Sequence, residues 1–104
     1  MDNKNWTLAA QESELKDDRK AISLNGQNIL LIKKDGEMFA IENRCFHMNC
    51  KFTRGELNGY NLKCPCHDWE FNIRTGEMTV SPEIKLALYT TKVDNGEIYI
   101  EIGG

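Results

Sequence analysis

All four cysteines and both histidines of this 104-residue chain fall in two short boxes. The first is RCFHMNC, residues 44–50, and the second is KCPCHDWEF, residues 63–71. Written as spacing, Cys45-x-His47 is followed by sixteen residues, 48–63, and then by Cys64-x-x-His67. Cys50 and Cys66 are left over, one in each box. If the two boxes are loops that face each other, each brings one thiolate and one imidazole to a common point.

Three chemistries suit such a set. Two cysteines and two histidines match a tetrahedral structural zinc site, which would stabilise the region and do nothing more. Zinc fingers, however, usually pair cysteine with cysteine across two to four residues, whereas each pair here is mixed. A mononuclear catalytic metal needs an open position and a nearby base, and neither is suggested. The third is a [2Fe–2S] cluster with two cysteines on one iron and two histidines on the other. Four cysteines can also form two disulfides in a small secreted domain. The start of the chain, MDNKNWTLAAQESELKDD, lacks the basic end, apolar stretch and cleavage site of a secretory leader. Metal ligation in a cytoplasmic protein is therefore the better expectation.

Composition removes other classes. No stretch approaches the ~20 apolar residues that span a bilayer. The net charge is −3 and basic residues form nothing longer than short runs such as Lys33-Lys34, which argues against nucleic acid as a partner. With 40% hydrophobic and 28% charged residues, the chain suits one compact domain, 1–104.

Outside the boxes the sequence reads as short strands. WTLAA, 6–10, is a first apolar segment, and the charged stretch 12–20 suits an exposed helical turn or a loop. KAISLNG and NILLIKK follow, and Asp35-Gly36 between two apolar runs is a hairpin signal. In the next run Met38, Ala40 and Glu42 share one face and Phe39 and Ile41 the other, so the alternation is real but not clean. Residues 43–79 are poor in long apolar runs, although 59–63 and 69–73 look like strands and NIRTGEM like a tight turn. After Ser81-Pro82 strand character returns in EIKLALYTTKV, Asn95-Gly96 reads as a hairpin turn, and EIYIEI as the last strand. A strand-rich body is thus interrupted by an insertion, 43–79, and an excursion that long without its own core calls for a staple such as a metal.

CFHMNC with CPCHDWEF resembles the paired cluster loops of Rieske iron–sulfur proteins, in which a C-x-H box precedes a C-x-x-H box by about sixteen residues. WEFNIRTGE is similar to the segment that follows the second box in soluble Rieske ferredoxins, and DGEMFAIENRC and YTTKVDNGEIYIEI to their flanking strands. The resemblance implies an all-β fold, a Rieske-type β-sandwich base domain with an inserted cluster-binding subdomain. It implies one [2Fe–2S] cluster per chain, with Cys45 and Cys64 on the inner iron and His47 and His67 on the outer one. Neutral imidazoles in place of thiolates make such a centre easier to reduce, at about −150 to +300 mV against about −400 mV for all-thiolate plant-type clusters.

The same resemblance implies a Cys50–Cys66 disulfide, since the respiratory type of Rieske protein joins its two loops by cysteines at these positions. The alternative is two free cysteines packed as small apolar side chains. In other respects the respiratory pattern is broken. That type follows its second box with a glycine, a serine and then a tyrosine, whose hydroxyls donate toward the cluster sulfurs. Here Asp68, Trp69 and Phe71 occupy those places. Without these donors the potential is expected in the lower part of the Rieske range. Asn49 stands where a glycine is usual, and asparagine tolerates the positive φ of such a turn. Trp69 and Phe71 are expected to pack beneath the cluster, and Pro82 to belong to a third, shielding loop.

The expected function is that of a monomeric one-electron carrier, without catalytic residues of its own, that takes electrons from a reductase and delivers them to an oxygenase or other redox enzyme. The alternatives are the small subunit of a nitrite reductase-like complex and a zinc-stabilised binding module.

Overall fold

The tightest turns are set by local chemistry. The computed structural model describes residues 6–24, 26–43, 52, 55–65 and 69–101. Asp35 and Gly36 have φ of 52° and 80°, and Asn95 and Gly96 have φ of 54° and 79°. Two successive positive φ values match the right-handed twist of the strands they join. The strands so connected are β3 (Gln27–Lys34) with β4 (Glu37–Glu42), and β9 (Thr91–Asp94) with β10 (Glu97–Glu101). Both hairpins expected from the sequence are present.

The remaining strands are β1 (Trp6–Gln11), β2 (Arg19–Leu24), β5 (Glu56–Asn58), β6 (Asn61–Lys63), β7 (Glu70–Asn72) and β8 (Leu88–Tyr89). Every strand pairing is antiparallel. They form three sheets in the orders β1-β10-β9, β2-β3-β4-β8 and β5-β6-β7. The fold is all-β, as expected. The charged stretch after β1 begins with a single 3-10 turn, Glu12–Glu14. It ends in a further tight turn at Asp17 and Asp18, with φ of 52° and 61°, bridged by Lys16 and Arg19.

The apolar run of β3 explains how the sheets stack. Ile29 and Leu31 pack with Ala10, Ala40, Ile98 and Ile100, between the β2-β3-β4-β8 sheet and the β1-β10-β9 sheet. Leu30 and Ile32 point the other way, into a second core with Ile41, Phe52, Leu62, Phe71, Ile73, Met78 and Leu86. The sheet containing β3 is therefore a middle layer, buried on both faces, and such a strand must be apolar throughout. The imperfect alternation in β4 has the same cause, because Met38 and Ala40 serve one core and Phe39 and Ile41 the other. Residues from 52–78 supply much of the second core and share it with the middle sheet. The apolar runs of this stretch are brief, but their residues converge on a core shared with the middle sheet.

The strand character of EIKLALYTTKV is divided among separate partners. Lys85 bridges Glu77, β8 pairs with β4, and β9 pairs with β10 in a different sheet. The chain crosses between layers at Thr90, whose carbonyl accepts from the Glu101 N–H at 2.9 Å. The Thr91 hydroxyl donates to the Met38 carbonyl at 2.9 Å and ties the two sheets at the crossing.

Candidate metal centre

The second box is the loop of a hairpin. Leu62 pairs with Phe71 and Lys63 with Glu70, and the Cys64 N–H donates to the Trp69 carbonyl at 2.8 Å as a last rung. Alternation puts Leu62, Cys64, Trp69 and Phe71 on the inner face and Lys63 and Glu70 on the outer one. Cys64 is accordingly 2% exposed, packed in the second core with Leu62 and Phe71. Its sulfur is in no disulfide. A neutral thiol or a metal-bound thiolate suits such surroundings.

The first box is entered from β4. The Asn43 N–H donates to the Asn28 carbonyl at 2.9 Å, and Asn43 Oδ1 accepts from the Phe52 N–H at 2.6 Å. Residues 43 and 52, on either side of 44–51, are thus held together. Phe52 is fully buried and meets Phe71 edge to face, with ring centroids 5.5 Å apart at 81°. The bases of both boxes therefore meet in one apolar cluster, with Cys64 part of it. Trp69 is half-buried against the same apolar core and Phe71 is wholly inside it.

Cys45, His47, Asn49, Cys50, Cys66, His67 and Asp68 lie outside the described residues. Of the proposed ligands, Cys64 alone is placed, and the Cys50–Cys66 pairing falls outside as well. Pro82 is an exposed residue in the turn 79–84, which leaves β7 where the Thr79 N–H donates to the Glu70 carbonyl at 2.9 Å. Val80 in this turn is 77% exposed, while Met78 and Ile84 pack on the second core.

Three residues that frame the boxes escaped the sequence reading. They are Asn43, Arg19 and Gly55. The Gly55 N–H donates to the Phe52 carbonyl at 2.7 Å, and the Gly55 carbonyl accepts from Arg19 Nη1 at 2.7 Å. A side chain at Gly55 would collide with the Lys63 carbonyl oxygen. Nothing in the spacing of these residues marks them, because their roles depend on partners 9 and 36 positions away.

The model of the Rieske [2Fe-2S] domain family matches residues 5–92. The ferredoxin component of the naphthalene 1,2-dioxygenase/salicylate 5-hydroxylase systems of a Ralstonia species is 29% identical over 100 residues, covering 94% of this chain and 96% of its own. Among solved structures, the Sphingomonas yanoikuyae B1 ferredoxin is 27% identical, with a TM-score of 0.84 over 95% of this chain and 100% of its own. A putative NADH-dependent nitrite reductase small subunit from Mycobacterium tuberculosis shares the fold, with a TM-score of 0.87 at 20% identity over 99% of each chain.

Proposed function

Since the chain belongs to the Rieske [2Fe–2S] domain family and is an electron carrier with one such cluster, we propose that Cys45, His47, Cys64 and His67 hold that cluster. We take the donor to be a reductase and the acceptor an oxygenase. The observation that carries the ligand reading is the setting of Cys64. It is a buried sulfur, in no disulfide, on the closing rung of the second-box hairpin, in the same cluster as the bases of both boxes. The donor set also fits the group, since two thiolates and two imidazoles are what such a centre requires.

When bound, the cluster supplies a site for one electron. The chain's own contribution is to position and to shield. The Cys64 N–H is engaged by Trp69, so the hairpin stays closed and the sulfur is held facing inward. Phe52, Leu62 and Phe71 exclude water from its inner side. Phe71 offers no hydroxyl there, which is the basis for a potential low in the Rieske range. Residues 43–79 then act as the cluster-binding insertion of a single Rieske domain, with a monomer working in the cytoplasm.

The oxygenase reading is favoured over the nitrite reductase reading because the dioxygenase-system ferredoxin is related in sequence along nearly its whole length. The nitrite reductase subunit shares only the fold. Electron paramagnetic resonance of the reduced protein tests the ligands. Wild-type protein is expected to give the Rieske-type signal and His67→Ala to lose it. An unchanged signal from His67→Ala would overturn the assignment.

A further inference from the structure

Among the described residues Asn43 is the one buried polar side chain, 1% exposed. A buried amide is costly unless it is hydrogen-bonded, so its position calls for a reason. The reason lies in what it joins. Its main chain is anchored to β3 through Asn28, at 2.9 Å. Its side-chain oxygen takes the Phe52 N–H at 2.6 Å, across the sequence interval 44–51 that contains Cys45 and His47. Phe52 is in turn linked through Gly55 to Arg19 on β2. Residues 43 and 52 are thus fastened to each other by the Asn43 side chain, and to the middle sheet by the Asn43 N–H and the Arg19 guanidinium.

We propose that Asn43 is a positioning residue for the cluster, a clamp that holds residues 43 and 52 together at the base of the first box and so slows loss of the cluster. This rests on the ligand reading above. The Phe52 N–H is a donor at a fully buried residue and needs an acceptor. The Asn43 amide oxygen is that acceptor. Loop closure is entropically unfavourable, and closing the ends in advance removes that cost from cluster retention. The second box needs no such side chain, because its ends are closed by the Cys64–Trp69 rung of a regular hairpin.

The test compares Asn43→Leu, which keeps the volume and removes the acceptor, with Asn43→Asp, which keeps an acceptor oxygen at the same reach. Iron release to a chelator is followed by the loss of visible absorption of the holoprotein, with circular dichroism as the check on folding. Asn43→Leu is expected to release iron about tenfold faster than wild type and to broaden the reduced resonance signal, and Asn43→Asp to restore both to within about threefold of wild type. A folded Asn43→Leu protein that matches wild type overturns the clamp, as does a folded Asn43→Asp protein that fails as badly as Asn43→Leu. If Asn43→Leu does not fold, Asn43→Asp carries the test alone, and loss about tenfold faster than wild type overturns the proposal. Wild-type protein without the Rieske signal refutes the ligand reading and the clamp with it, whereas a sound wild type with an indifferent Asn43→Leu refutes the clamp alone.

Discussion

Among the described glycines Gly55 has the least room. A β-carbon there would meet the Lys63 carbonyl oxygen, and would also come within 3.0 Å of the Phe52 carbonyl oxygen and 3.2 Å of Leu62 Cδ1. Two of these neighbours are backbone, which cannot swing aside. Gly55→Ala is therefore expected to destabilise the protein by about 1–3 kcal/mol, read as a lower denaturation midpoint at unchanged slope. Phe71 makes a different kind of prediction. It lies with Cys64 in one cluster, and as a phenyl ring it has no hydrogen bond to give toward a sulfur. A redox titration at neutral pH is expected to place the midpoint in the lower part of the Rieske range, and a value above about +200 mV would contradict the reading. At this scale the metal chemistry was legible and the residues framing the boxes were not. Cysteine and histidine in fixed spacing announce metal chemistry through their own side chains. Asn43 and Gly55 matter only for what the fold puts beside them.

At the scale of elements, two loops are closed by two devices. The second box closes as a hairpin, and the first through a side chain reaching from Asn43 to Phe52. A Cys50–Cys66 disulfide, proposed from family resemblance, would tie one loop to the other. It would contribute about 2–4 kcal/mol, mainly by restricting the unfolded chain. Alkylation of the denatured protein stripped of iron is expected to modify two of its four cysteines without reductant and all four with it. Modification of all four without reductant would remove the bridge. Element identity was read well where turns are local, as at Asp35-Gly36 and Asn95-Gly96. At 83–93 only strand character was legible, since a continuous pattern conceals a change of sheet at Thr90. Element identity was missed at Asp17-Asp18, a positive-φ turn without a glycine to signal it.

The described residues form three sheets around two cores, and some of the ties between them are tyrosines. The Tyr60 hydroxyl donates to Asp35 Oδ2 at 2.9 Å, joining the β5–β6 turn to the β3–β4 turn, while Arg74 lies 5.0 Å from its ring. The hydrogen bond to Asp35 raises the Tyr60 pKa above 10.0, with desolvation and nearby carboxylates adding to it. The hydrogen bond to Glu97 raises that of Tyr99, and burial raises that of Tyr89. Folding therefore favours the neutral phenols. Their contribution is fully present below the unfolded value of about 10 and is lost as pH rises through the higher folded values. Stability is expected to fall above about pH 10, and Tyr60→Phe to make that fall shallower. Solvent screening at the surface keeps the effect of Tyr60 small. Urea midpoints measured from neutral pH upward check this, and an equally steep fall in Tyr60→Phe would contradict it.

The sequence by itself determined the ligand chemistry, the hairpin turns and the all-β character. These depend on which donor atoms a side chain carries, which residues tolerate positive φ, and which apolar patterns suit strands. The tertiary structure decided that NILLIKK is buried on both faces, that the chain changes sheets at Thr90, and that Asn43 is buried against Phe52. Burial and strand pairing are relations between residues far apart in sequence, and they exist only once the layers have stacked.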